Sequence, residues 1–261
     1  MEIVSKIINV DGFEARFTGY IRHNDESFRS NRIRPALLVL PGGGYQYTSV
    51  REAEPIALKF SAMGYQTFVL DYSCAPSGAR YPVALNQAKT AMKMIRENAE
   101  IWHIDPKKVA VTGFSAGGHL AASLCCLFDE DSRPDAAVLC YPVITAEEAY
   151  THRGSIENLS GESLEKVDKD FFSMETRVQK NTPPTFLWHT WQDGSVNVMN
   201  SLKYAEALKK EGIIAELHIF PFGGHGLSLS TDETGNEDGT GTVEECASWP
   251  ELANRFLKQV M

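Results

Sequence analysis

Short, largely apolar runs alternate along the chain with segments whose apolar residues recur at helical spacing. The runs are typical of strands buried on both faces and cover residues 36–40, 66–70, 108–112, 136–140, 185–189 and 215–220. Helical spacing is found in the segments 83–102, 119–128, 198–212 and 251–261. This alternation predicts an α/β fold with a mainly parallel central sheet and helices on both faces.

Three other segments depart from this rhythm. At the amino terminus, residues 2–10 and 13–21 are strand-like and flank Asp11-Gly12, which predicts an antiparallel hairpin. Residues 145–183 are mixed and polar, and we expect an insertion between strands. Residues 228–247 are acidic and rich in glycine and threonine, which indicates a mobile loop. Neither resembles a separate domain, so we expect residues 1–261 to form a single one.

Charge and cysteine content narrow the class of protein. The formal net charge is −9, and no basic stripe is present, which argues against nucleic acid or an anionic membrane surface as a partner. No signal-peptide pattern and no apolar stretch of about 20 residues is visible, so we expect a cytoplasmic protein. The cysteines lack metal-ligand spacing and predict buried, reduced thiols: Cys74, Cys125, Cys126, Cys140 and Cys246.

The strongest candidate for chemistry is Ser115, in the G-x-S-x-G motif Gly113–Gly117. The motif alone is short, but here a strand-like run leads into it and a helix-like run leads out. That is the setting of a nucleophile elbow, in which a sharp turn presents the serine at the carboxyl end of a strand. The alternative is an ordinary tight turn with a capping serine. A serine nucleophile also requires a base and a site for the oxyanion.

An oxyanion site is predicted at Pro-Gly-Gly-Gly-Tyr, residues 41–45, directly after the strand-like run 36–40. Glycines leave backbone N–H groups unshielded, so we expect Gly43 and Gly44 to donate to the substrate oxygen, with Tyr45 as a further donor. The remaining donor is the N–H of Ala116, which follows the nucleophile. The alternative is a flexible glycine turn; a phosphate loop is disfavoured because no Lys-Ser/Thr follows.

His225 and Asp193 are the candidate base and acid. His225 lies among glycines after the last predicted strand, and Asp193 lies in a loop after the strand-like run 185–189. The order Ser115, Asp193, His225 is that of α/β-hydrolases. The competing acids do not follow a strand in this way: Asp168, Asp170 and Asp232.

Five stretches together resemble the cap-less α/β-hydrolases of the carboxylesterase type: PGGGY, DYSCAP, GFSAGGHLAA, HTWQDGSV and GGHGLSL. The resemblance runs from about residue 35 to the carboxyl terminus and is greatest to the bacterial acetyl esterase and acetyl-xylan-esterase-like "sugar hydrolase" group. It implies the α/β-hydrolase fold without a large cap domain. Pro41 and Ser73 differ from the histidine and arginine usual in the related hormone-sensitive-lipase group, so that group's lipid preference is not carried over.

These observations predict a serine esterase that hydrolyses short-chain, acetyl-type esters, with acetylated sugars or xylo-oligosaccharides as candidate substrates. The reaction needs no metal and no organic cofactor, and the expected partner is a small-molecule ester. The sequence leaves a homodimer open. Tyr45, Tyr47 and Trp191 lie beside the motifs and are candidates for an aromatic wall of the site. The alternatives are an amide or peptide hydrolase of formamidase or acyl-peptidase type, and a non-catalytic binding protein.

Overall fold

The computed structural model describes all residues from 1 to 261 and contains one sheet of eight strands. In chain order the strands are β1 (Glu2–Val10), β2 (Phe13–Ile21), β3 (Arg34–Leu40), β4 (Gln66–Asp71), β5 (Ile104–Phe114), β6 (Ala136–Cys140), β7 (Thr185–Thr190) and β8 (Ala215–Phe220). Their spatial order is β1-β2-β4-β3-β5-β6-β7-β8, and the pairs from β4 to β8 are parallel. The predicted fold class is confirmed.

The amino-terminal hairpin forms at the predicted turn. Asp11 and Gly12 have φ values of 52° and 85°, the left-handed conformation that suits the twist of a two-residue hairpin. β1 and β2 pair antiparallel along their whole length, and β2 then pairs antiparallel with β4. The hairpin therefore extends the parallel sheet at one edge.

The chain has seven α-helices, of which all but α4 and α5 pack on the sheet: α1 (Glu54–Ala62), α2 (Val83–Glu97), α3 (Ala116–Cys126), α4 (Arg153–Ser160), α5 (Lys169–Phe172), α6 (Met199–Lys210) and α7 (Trp249–Val260). Successive side chains of β3 point to opposite faces of the sheet, so they pack in two different layers of the core. Leu38 packs in the layer with α2, α3 and α6, whereas Leu37 packs with α1 and α7. No helix has the length and apolar character needed to cross a membrane.

The two irregular segments have different structures. Residues 145–183 carry α4 and α5, which pack over a small apolar cluster that includes Ile156 and Leu164. Residues 228–247 form a loop fastened by hydrogen bonds such as Arg51 Nε to the Thr234 carbonyl, 2.7 Å. All five cysteines are free thiols, and four of them are buried as predicted. The prediction is wrong for Cys74, which is only partly buried.

Candidate active site

The turn between β5 and α3 holds Ser115 in a strained conformation. Its φ is 52° and its ψ is −117°, and its N–H donates to the Cys140 carbonyl on β6 at 3.0 Å. Glycine is required on both sides: a Cβ on Gly113 would lie 2.2 Å from the Gly117 carbonyl oxygen, and one on Gly117 would lie 2.2 Å from the Leu40 carbonyl oxygen. The local sequence thus folds into the sharp turn that the motif predicts.

The structure brings Ser115, His225 and Asp193 into one chain of hydrogen bonds. The Ser115 Oγ is 2.8 Å from His225 Nε2, and His225 Nδ1 is 2.6 Å from Asp193 Oδ2. Because a carboxylate only accepts hydrogen bonds, the imidazole proton lies on Nδ1 and Nε2 accepts from the serine hydroxyl. This is the tautomer that a general base acting on Ser115 requires.

Asp193 is held by four polar contacts, and its side chain is fully buried. Oδ1 accepts from the backbone N–H groups of Ser195 and Val196, both at 2.9 Å, and Oδ2 faces His225. His189 Nε2 lies 3.2 Å from Oδ2. Burial by itself would raise the pKa of Asp193. The hydrogen bonds from His189 and His225 and the charge of His225 have the larger effect, so the net pKa lies well below the ordinary range of an aspartate. The carboxylate therefore stays ionised wherever a neutral imidazole can act as a base.

His189 is a buried residue whose contact with Asp193 the sequence pattern did not reveal. Its Nδ1 accepts from the Ser201 hydroxyl at 2.8 Å, and its Nε2–H points at both the Val196 carbonyl, 2.9 Å away, and the Asp193 carboxylate. These bonds hold the ring next to Oδ2 of Asp193, whereas the backbone N–H groups bind Oδ1. The only sequence signal was its position at the end of β7.

The glycine loop after β3 has the unshielded N–H groups that an oxyanion site needs. The N–H groups of Gly43 and Gly44 donate no hydrogen bond within the protein, and the N–H of Ala116 begins α3. Gly43 has φ 125°, and a Cβ there would lie 2.1 Å from the Tyr47 carbonyl oxygen, so the loop depends on this glycine. Asn158 of α4 donates to the Gly44 carbonyl at 2.9 Å and fixes the loop from above.

The structure corrects the predicted aromatic wall. Tyr45 is only 2% exposed, because its hydroxyl turns inward to His119 Nδ1 at 3.0 Å. His119 in turn donates from Nε2 to the Phe172 carbonyl at 2.9 Å, and burial lowers its pKa to about 4, so it is a neutral packing residue. Trp191 is exposed at the surface and does not line the cleft. Tyr47 is the aromatic side chain that does.

A polar cleft of about 450 Å³ opens above the Ser115 hydroxyl. Tyr47 is its only large apolar side chain, and no aliphatic one lines it. The remaining lining residues are glycines or polar residues: Gly43, Gly44, Gln46, Ser49, Arg51, Glu52, Ser115, His152, Gly154, Asn158, Ser195, His225 and Gly226. Such a cleft offers hydrogen bonds to a ligand but little apolar surface.

Glu52, His152 and Asn158 line this cleft, although the sequence pattern gave no sign of them. Glu52 precedes α1, and the other two belong to the polar segment 145–183. His152 caps α4: its Nδ1 accepts from the Ser155 N–H at 3.3 Å and lies 2.8 Å from the Ser155 hydroxyl. Burial and the nearby charge of His225 lower the pKa of His152.

Strained backbone is concentrated around the site. Outside glycine, a positive φ is uncommon and costs free energy because the Cβ crowds the backbone. Five such residues belong to the segments that surround the cleft, with φ values from 36° to 56°: Tyr45, Ser115, Tyr141, Ser228 and Ser230. Tyr141 follows β6, and the two serines follow His225.

Comparison with known proteins gives one matching family and several relatives. Residues 37–229 match the model of a family described as alpha/beta hydrolase fold. The chain is 37% identical over 235 residues to endo-1,4-beta-xylanase B of Butyrivibrio fibrisolvens, which covers 85% of this chain and 36% of that protein. It is 31% identical over 201 residues to an acetylxylan esterase of Xylanibacter ruminicola, covering 75% of this chain and 42% of that protein. The chain thus spans less than half the length of these two relatives.

A solved structure matches over nearly the whole chain. The acetyl ester-xyloside bifunctional hydrolase from Caldicellulosiruptor lactoaceticus superposes with a TM-score of 0.84 at 37% sequence identity. The match covers 96% of this chain and 89% of that one.

Proposed function

We propose, since the chain belongs to the alpha/beta hydrolase fold family, that it is a serine hydrolase that cleaves short-chain, acetyl-type carboxylic esters. The observation that carries the proposal is the chain of hydrogen bonds from Ser115 through His225 to Asp193, 2.8 and 2.6 Å long, beside free backbone N–H groups. The relative named as an acetylxylan esterase and the solved structure named as an acetyl ester-xyloside bifunctional hydrolase support the same reaction type.

In the proposed first half-reaction, His225 Nε2 takes the proton of Ser115 as Oγ attacks the ester carbonyl. The carbonyl oxygen becomes an oxyanion and accepts from the N–H groups of Gly43, Gly44 and Ala116. Asp193 keeps the imidazole oriented and stabilises its positive charge. His225 then gives the proton to the leaving alcohol, and the acyl group remains on the serine.

The second half-reaction repeats these roles with water. His225 deprotonates a water molecule, which attacks the acyl-enzyme carbonyl, and the same N–H groups bind the second oxyanion. Collapse of this intermediate returns the proton to Ser115 and releases the carboxylic acid. The exposed position of the cleft supports access of water to the acyl group.

The polar lining of the cleft leads to a prediction about acyl length. We expect kcat/KM for p-nitrophenyl acetate to exceed that for p-nitrophenyl octanoate at least about tenfold. An apolar groove would instead gain up to about 0.8 kcal/mol for each CH₂ buried, and no aliphatic side chain lines this cleft. The measurement is a series of p-nitrophenyl esters from two to eight carbons.

Each enzymatic rate in this series is divided by the rate of hydroxide hydrolysis of the same ester, because intrinsic reactivity also changes with acyl length. A normalised kcat/KM that rises steadily from acetyl to octanoyl would contradict the short-acyl proposal and favour a lipase-like activity. The serine hydrolase assignment would survive that result.

The same lining supports a sugar as the alcohol of the ester. Asn158 Nδ2 donates to the Gly44 carbonyl, so Asn158 Oδ1 remains available as an acceptor. His152 Nδ1 is bonded to Ser155, so His152 Nε2 remains available to a ligand. Gln46 and Arg51 add further polar groups. Hydroxyl groups of a carbohydrate can pair with such donors and acceptors. The printed names of two relatives, an acetylxylan esterase and an acetyl ester-xyloside hydrolase, agree with this substrate class.

We therefore expect kcat/KM for acetylated xylo-oligosaccharides to exceed that for ethyl acetate at least about tenfold, because both are acetyl esters of alkyl alcohols but only the sugar can use the polar groups. Acetate release is measured for both substrates under identical conditions. Equal or faster hydrolysis of ethyl acetate would contradict the sugar preference. If aryl acetates are cleaved and neither of these substrates is, the carbohydrate proposal fails and the esterase proposal stands.

Cleavage of the xylan chain itself is not part of the proposal. Glycoside hydrolysis ordinarily uses two carboxyl groups on either side of the scissile bond. Glu52 is the one acidic residue that lines the cleft, and the Asp193 carboxylate is buried against His225, His189 and two backbone N–H groups. The cleft therefore supports ester hydrolysis but not a two-carboxylate mechanism.

A further inference from the structure

Glu52 is a buried acidic residue beside Ser115 to which the mechanism above gives no role. It is 4% exposed, and its Oε2 accepts from the N–H of Gly42 at 2.8 Å, directly before the oxyanion glycines. The carboxylate fills the space beside Gly42 so closely that a Cβ there would lie 2.6 Å from Oε2 and 3.1 Å from the Ser115 Cβ. Glu52 thus holds the residue that leads into the oxyanion glycines.

The other oxygen of Glu52 reaches the loop that carries His225. Oε1 accepts from the Tyr141 hydroxyl at 2.6 Å, and the same hydroxyl oxygen accepts from the N–H of Ser228 at 2.9 Å. The Tyr141 ring also packs edge to face against the imidazole of His225, with the ring centroids 5.1 Å apart. One carboxylate therefore joins the segment of the oxyanion donors to the segment of the base.

The hydrogen bonds favour the charged form of this carboxylate. Ser228 N–H is a fixed donor to the tyrosine oxygen, so the tyrosine proton points to Oε1, while the Gly42 N–H points to Oε2. Each oxygen of Glu52 faces a donor, so a proton on either oxygen would oppose one of these two hydrogen bonds, which is costly in a buried site. Burial raises the pKa of Glu52 by more than the hydrogen bonds from Tyr141 and Gly42 and the charges of His225 and Arg51 lower it, so the net pKa lies above the ordinary value of a glutamate.

The titratable groups that face His225 are Asp193, Tyr141, His152 and Glu52. Arg51 lies next to Glu52 along the chain, but its Nε donates to the Thr234 carbonyl, and no cation forms an ion pair with Glu52. The charge of Arg51 still acts on Glu52 through space, but without a direct ion pair the Glu52 carboxylate can also act on the imidazolium that forms at His225 during the reaction.

We propose that Glu52 is a positioning residue that ties the oxyanion loop to the His225 loop through Tyr141, and that its charge favours the protonated form of His225. The proposal rests on the proposed function, because it assigns Glu52 to the same reaction. Glu52 is a second buried carboxylate of the site, and it acts through Gly42 and Tyr141 rather than by touching the substrate.

The test is Glu52→Gln, which keeps the shape of the side chain and removes the charge. We expect kcat/KM for p-nitrophenyl acetate to fall at least about tenfold and the acid limb of its pH profile to move to lower pH by about 0.5 unit or more. The pH at which the His225 imidazole titrates, followed by NMR, should move in the same direction. Activity within twofold of the wild type, with an unmoved acid limb, would overturn the proposal.

Tyr141→Phe is the matched variant, because it removes the link between the two loops and keeps the carboxylate. It should lower kcat and move the acid limb less than Glu52→Gln does, and unchanged kcat would overturn the linking role. This variant also carries the test if Glu52→Gln does not fold. The NMR titration needs no substrate, so a shifted imidazole in a protein without esterase activity would refute the proposed function and leave the role of Glu52 standing.

Discussion

Ser115→Ala is expected to reduce kcat on p-nitrophenyl acetate by about 10⁴-fold or more while the folded structure persists. The change removes the Oγ that accepts the acyl group but keeps the Cβ, so the strained turn at φ 52° is the same in both proteins. The melting temperature should stay within a few degrees of the wild type. Hydrolysis of p-nitrophenyl acetate and a thermal melt measure the two properties.

Ser123→Ala is the matched control for this change. Ser123 is also a buried serine on α3, but its hydroxyl donates to the His119 carbonyl at 2.8 Å, away from the cleft. A fluorophosphonate should label the wild type and Ser123→Ala and leave Ser115→Ala unlabelled. If Ser115→Ala keeps more than a tenth of the activity, the nucleophile is a different residue.

Asp193→Asn should cost about 10⁴-fold in kcat without loss of the fold. Oδ1 accepts from two backbone N–H groups, of Ser195 and Val196, so the amide oxygen of an asparagine remains there. The amide NH₂ then faces His225 and donates to Nδ1, which moves the imidazole proton to Nε2. That nitrogen can no longer accept from Ser115. Steady-state kinetics on p-nitrophenyl acetate at the optimal pH measure the loss.

Asp168→Asn is the control for this prediction. Asp168 caps α5, with Oδ1 accepting from the Phe171 N–H at 3.0 Å, and asparagine is nearly as good a cap as aspartate. The variant should therefore keep its activity and stability. Full activity in Asp193→Asn together with an inactive Asp168→Asn or Asp170→Asn would move the acid into the segment 145–183.

The fold could be predicted largely because β3, β4, β6 and β7 are short apolar strands buried on both faces. β8 was also expected to be buried, but it is only partly buried along its length. The apolar runs at residues 136–140 and 215–220 coincide with β6 and β8, and Asp11-Gly12 marks the hairpin turn. α1 escaped prediction because it has only nine residues and exposes Leu58 at 41%, which blurs its amphipathic pattern. α4 and α5 are shorter still and lie in a polar segment.

The candidate site also has residues that the sequence predicted and contacts that it did not. Ser115, Asp193 and His225 each follow a strand, and parallel strands bring their carboxyl ends to one edge of the sheet, so the chain itself indicated that they meet. Asn158 reaches Gly44 across 114 positions of sequence, and no periodic pattern encodes such a contact. The inward turn of Tyr45 likewise depends on a buried partner, His119, on another element.

The strained residues around the cleft limit how this protein can be made more heat-tolerant. Glycine at Ser228 or Ser230 would relieve a conformation that costs of order 1 kcal/mol or more, but it would loosen the segment next to His225. Glycine would also remove the hydrogen bonds that these two buried hydroxyl groups donate to the Arg51 and Val243 carbonyls. Arg29 and His103 have the same backbone conformation outside the cleft. Stability can be gained at those two positions with the catalytic geometry left intact.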